Sequence, residues 1–234
     1  MAREGSPVAL WPLPLAAGVL PLVATAIAFN LAAHLGLIPY CNPFVDGCVS
    51  ISRAARHGAP NTMFQAIVAP AAVLQAACWL LAPRWLASLD APADRLVKAL
   101  PWLGALAGVC MLLYVTALGI EGPWYRFMRR YGVVFYFGFT CIDMLVVSGQ
   151  MQKLAARRDA WRAPTRALLA LCAALPLLGL VHVFGTLWLE TPAARDALEN
   201  VTEWWAGAIF TAFFFALAWA WRATSYSARL SAEP

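Results

Sequence analysis

Residues 167–189 read ALLALCAALPLLGLVHVFGTLWL, a run with no aspartate, glutamate, lysine or arginine. Its length decides the fold. A helix of about 20 apolar residues, rising about 1.5 Å per residue, crosses the ~30 Å hydrocarbon core of a bilayer. Lipid offers backbone N–H and C=O groups no partner, so such a run must satisfy them internally as a helix. Five further runs of this kind occupy roughly 10–37, 63–82, 99–120, 132–151 and 204–221.

The composition agrees. The chain is 62% hydrophobic and only 12% charged, with a mean hydropathy of +0.67, whereas about a quarter of a soluble domain is charged. The expected fold is therefore all-α: a polytopic membrane bundle of six transmembrane helices forming one transmembrane domain over residues 1–234. The first run follows a short MAREG and is too long for a signal-peptide core, so it is expected to be retained. Trp11, Trp124, Trp188, Trp204, Trp205 and Trp221 fall near run ends, as an aromatic belt requires. Gly104 and Gly108 form a small-xxx-small pair where a neighbouring helix can approach closely.

Six spans put both termini on one side, and lysine and arginine indicate which. With the termini inside, 11 of the 17 basic residues are inside and 6 outside. The inner set includes Arg3, Arg84, Arg95, Lys98, the run from Lys153 to Arg166, Arg222 and Arg229. The expected setting is integral to the plasma (inner) membrane, with both termini cytoplasmic. EGPWYRFMRRYG breaks the trend by placing Tyr125, Arg126, Arg129 and Arg130 outside. That exception suggests a bound anion, the plain alternative being arginines that snorkel to the interface.

The first outer loop, PYCNPFVDGCVSISRAARHGAPN from Pro39 to Asn61, carries most of the polar chemistry. Asp46, Ser50, Arg53 and His57 are spaced by four, three and four, which would put them on one face of a short interfacial helix. Asp46 suits an N-cap, and Gly58 followed by Pro60 suits a stop. That face would look down on His34, Glu121 and His182. Ser50 and His57, about 10 Å apart on such a helix, cannot form a catalytic pair. Cys41 and Cys48 could be bridged in an oxidising compartment. Their spacing matches no zinc or redox motif, and neither metal nor cofactor is expected.

Ionisable groups at membrane depth are costly and point to function. Tyr136, Thr140 and Asp143 share one face of the fourth span; His182, Thr186 and Glu190 share one face of the fifth. Asn30 and His34 lie one turn apart, Tyr114 and Glu121 two turns apart. At about 1.5 Å per residue His34 lies about 6 Å and His182 about 10 Å below the outer end, while Asp143 is roughly 18 Å deep. A direct Asp143–His182 bond is not expected. The plain reading of each group is an interhelical hydrogen bond.

The loop and the six-span layout resemble a known family. Pro43, Asp46, Ser50, Ser52 and Pro60, in CNPFVDGCVSISRA and GAPNTMFQ, are similar to the family that groups the FGF-receptor-activating protein, the damage-regulated autophagy modulators and the post-GPI-attachment lipid-remodelling factor. Cys48, Arg53, Arg56 and His57 depart from its loop. The resemblance implies a role in handling membrane lipids or lipid anchors.

Two functional readings follow. In the first, the protein remodels a lipid whose anionic headgroup meets Asp46, Ser50, His57, Tyr125, Arg126, Arg129 and Arg130, with His182 or His34 as general base and Glu121 or Asp143 as acidic partner. In the second, the same groups only bind, in a lipid-binding scaffold or a subunit that stabilises a membrane-protein partner. A minor third reading makes His34 and His182 axial ligands of a b-type haem. No nucleic-acid partner is expected.

Overall fold

A computed structural model describes residues 7–92 and 94–228. Arg3 and Arg229, used in the charge count, lie outside the described residues. Seven helices occur in this range: α1 (Pro12–His34), α2 (Ile51–Ala54), α3 (Gly58–Ala87), α4 (Arg95–Ala117), α5 (Pro123–Leu154), α6 (Asp159–Trp188) and α7 (Pro192–Ala223). All but α2 are long and apolar enough to cross a membrane. α3, α5, α6 and α7 extend beyond their apolar runs because hydrocarbon thickness limits the apolar stretch, not the helix, which continues at the interface, whereas α1 lies within its run of 10–37. Pro12, Pro123 and Pro192 open three of them, where a missing N–H costs nothing. Asp94 caps α4 by accepting the Val97 N–H at 2.8 Å, and Thr191 caps α7 through Ala194 at 3.3 Å.

The six long helices form a ring in the order α1, α3, α4, α5, α6, α7 and back to α1. Two-residue strands β1 (Val8–Ala9) and β2 (Ser227–Ala228) pair antiparallel, so both ends of the described chain meet at one end of the bundle. That end is well packed. Trp79, Trp85, Phe213, Phe214 and Trp221 are buried there, and the Trp85 indole donates to Thr224 at 2.9 Å. Between spanning helices such contacts act by van der Waals fit rather than by exclusion of water. Gly104 and Gly108 make the fit between α3 and α4: a Cβ at Gly104 would overlap Trp79, and one at Gly108 would press on Ala76.

The opposite end, which carries residues 35–57, is looser. α6 buries Trp161, Pro164, Thr165, Leu168 and Cys172, all in its first half. From Leu177 to Trp188 most of its large side chains, Leu177, Leu180, Phe184, Leu187 and Trp188 among them, are exposed.

The connecting loop corrects an expectation. Its helix is only Ile51–Ala54, capped by Ser50, whose Oγ accepts the Arg53 N–H at 3.2 Å. Asp46 instead accepts the N–H of Asn42 at 2.8 Å and closes a separate turn. Asp46, Ser50, Arg53 and His57 therefore share no helical face. Gly58 and Pro60 start α3 rather than ending the previous helix. Gly58 takes a φ of 61° at the entry, and Pro60 falls in the first turn, where helical N–H groups are unpaired anyway. Cys41 and Cys48 are joined in a disulfide.

Candidate functional site

α7 holds the loop down. Asn200 Nδ2 donates to the Gly47 carbonyl at 2.7 Å, Trp204 Nε1 to Val49 at 2.8 Å, and Trp205 Nε1 to Phe44 at 3.2 Å. In the other direction, the Ser52 N–H donates to Glu203 Oε1 at 3.1 Å. These bonds roof a cavity in two parts.

The upper part, of about 720 Å³, is lined by charge. Arg56 comes from the loop and Arg126, Arg129 and Arg130 from α5, while Glu121 precedes α5 and Glu199 and Glu203 belong to α7. The lower part, of about 210 Å³, is mostly apolar, walled by Leu22, Phe64, Val68, Met111 and Phe210 among others. Tyr114, Val133, Phe137 and Glu203 line both parts. Gln75 and Tyr136 close the floor, the Tyr136 hydroxyl donating to Gln75 Oε1 at 2.8 Å and Gln75 Nε2 donating to the Ala17 carbonyl at 3.1 Å. No residue of α6 lines either part.

Two polar groups on residues lining this space lack protein partners among the described residues. Arg56 Nε is buried without one. Tyr114 is 6% exposed, and no hydrogen bond to its hydroxyl is found among the described residues. Arg129 is different: its Nη1 donates to the carbonyl of Ala117 at 3.0 Å and to that of Ile120. It closes the C-terminal end of α4, where the last carbonyls have no helical partner. Among the described residues the ion pair found joins Arg162 to Asp159, far along the chain from the cavity. The cavity's arginines and glutamates are not paired with one another.

The residues singled out from the sequence are only partly gathered here. Tyr114, Glu121, Arg126, Arg129 and Arg130 meet in the upper part. His182 is hydrogen-bonded through Nδ1 to Thr202 Oγ1 at 3.1 Å, across the α6–α7 seam. His34 is exposed at the end of α1. The two histidines sit on different helices, α1 and α6, which pack on α7 but are not neighbours in the ring. Asp143 is fully buried on α5 with both carboxylate oxygens unpartnered among the described residues, as is the Thr140 hydroxyl. Tyr125 is exposed and outside the lining. Arg53 and His57 face a separate recess of about 230 Å³ beside Cys48. Asp46 and Ser50 are engaged in the loop's own turn and cap.

Arg56 stands out in the sequence only as a departure of the loop from the family it resembles, and Glu199 and Glu203 carry no role there. Glu203 stands immediately before the last apolar run, so a search for charge inside the runs stops one residue short of it. The available signal is the four-residue spacing of Glu199 and Glu203, which puts both on one helical face. No family model, no curated protein and no solved structure matches this chain.

Proposed function

We propose that this protein binds and handles a membrane lipid with an anionic headgroup, holding the headgroup in the charged cavity and acyl chain in the apolar pocket below. The observation that carries this reading is that the two spaces adjoin, with Tyr114, Val133, Phe137 and Glu203 lining both. A lipid has the same order of polarity along its length. Since charge gathers at the ends of spanning helices and the apolar pocket lies among their interiors, the lipid would keep the depth it has in the leaflet.

Guanidinium groups suit the phosphate because their planar fork can donate two hydrogen bonds at once. Arg56, with its buried unpartnered Nε, is the best placed donor. The exposed second half of α6 and its absence from the lining favour entry between α5 and α7. The loop's resemblance to lipid-handling membrane proteins points the same way. The excess of basic residues on the terminal side favours an inner-membrane protein with cytoplasmic termini and the cavity in the outer leaflet.

Binding has more support than remodelling chemistry. Of His182, His34, Glu121 and Asp143, only Glu121 lines the cavity. An acid–base role would fall to Glu121 or Glu203, and no nucleophile is evident. The second reading is a partner-stabilising subunit. Trp124, Phe127, Tyr131 and Phe135 follow one another, ring against ring, along one exposed stripe of α5, a face that suits lipid or another membrane helix.

The test is to purify the protein in mild detergent and quantify retained phospholipid by mass spectrometry. Wild type should retain lipid, and Arg56→Ala should lose about tenfold, as expected for one charge-assisted bond. Equal retention by wild type, Arg56→Ala and Arg126→Ala would remove this reading.

A further inference from the structure

The charged cavity is not simply basic. Arg56, Arg126 and Arg130 line the loop and α5 side together with one carboxylate, Glu121, while Glu199 and Glu203 line the α7 side. They form no ion pair with each other among the described residues: Arg56 Nε has no partner, and Glu203 accepts the neutral backbone N–H of Ser52. Glu199 and Glu203 stand one turn apart, a spacing at which like charges repel. A cation between them would relieve that repulsion.

We infer that the headgroup taken by this cavity is zwitterionic, a phosphodiester held on the arginine side with a primary ammonium held by Glu199 and Glu203. The inference rests on the lipid-binding reading above. An ammonium fits better than a metal ion, because the described residues hold no group of three or more metal-ligating side chains. A primary amine fits better than a quaternary one, because carboxylate oxygens are acceptors for N–H donors, whereas a quaternary ammonium is held mainly by aromatic faces. Arginine alone would favour the most anionic lipid available. Opposed walls instead favour a headgroup carrying both charges.

The test offers the purified protein an equimolar mixture of phosphatidylethanolamine, phosphatidylcholine and phosphatidylglycerol in detergent, with bound lipid read by native mass spectrometry. Wild type should prefer phosphatidylethanolamine over phosphatidylglycerol by about tenfold. Glu199→Gln should reduce that preference severalfold, and Glu199→Gln/Glu203→Gln should abolish it while arginine-dependent binding persists. Glu199 is exposed, so the single variant tests the idea even if the double variant fails to fold. Arginine-dependent binding with phosphatidylglycerol equal or preferred would overturn this inference alone. Preference for phosphatidylcholine would also overturn it. The absence of any arginine-dependent lipid binding would overturn both this inference and the reading on which it rests.

Discussion

Glu203 on α7 accepts the backbone N–H of Ser52 at 3.1 Å, so one carboxylate both anchors the connecting loop and lines the two parts of the cavity. Loop position and cavity shape are thereby coupled. Glu203→Gln, which keeps an acceptor, should leave the loop docked. Glu203→Ala should raise hydrogen exchange at residues 50–53 by severalfold, since one bond of about 1 kcal/mol is removed. Unchanged exchange in Glu203→Ala would show that Asn200 and Trp204 suffice to hold the loop.

Arg129 separates structure from binding. Arg129→Ala strands the carbonyls of Ala117 and Ile120, at an expected cost of about 1–3 kcal/mol. Arg126→Ala, an exposed side chain, should cost little. Thermal unfolding in detergent reads the difference. An Arg129→Ala protein as stable as wild type, but stripped of lipid, would make Arg129 a headgroup ligand first.

Asp143 is a buried carboxyl without a protein partner among the described residues. An ionised carboxylate at that depth is costly, so Asp143→Asn should melt at the wild-type temperature or above it. A loss of more than about 2 kcal/mol would instead reveal a bound water or ion that the carboxylate needs.

The six spans were legible because bilayer thickness imposes a length that no soluble fold demands. Gly104 and Gly108 were legible for a similar reason, since a small-residue pair at i, i+4 leaves few alternatives to close helix contact. The loop was less so. Gly58 and Pro60 are compatible with the end of one helix and the start of the next, and only the docking of residues 44–52 on α7 decides between them. His182 shows the same gap: spacing gives its helical face but not its neighbour, which turns out to be Thr202. Glu203 was missed because charge at the edge of an apolar run reads as interface, although here it turns inward.

Orientation is open to a direct check. Single cysteines at Tyr40, which is 80% exposed, and at Asp46 should label with an impermeant thiol reagent from outside intact cells, in a background lacking the native cysteines. Cysteines at Arg95 and Arg158 should label only after permeabilisation. Labelling of Arg158→Cys in intact cells would invert the orientation.

The most direct test of the two-part cavity is photo-cross-linking with a phosphatidylethanolamine that carries a diazirine midway along one acyl chain. After reconstitution and illumination, peptide mapping should place the lipid on residues of the apolar pocket, chiefly Phe64, Val68, Met111, Val133 and Phe137. Val134→Trp, which places a bulky ring at the mouth of the charged cavity, should cut that labelling severalfold. Labelling confined to the outward stripe of Trp124, Phe127, Tyr131 and Phe135, and indifferent to Val134→Trp, would contradict the account.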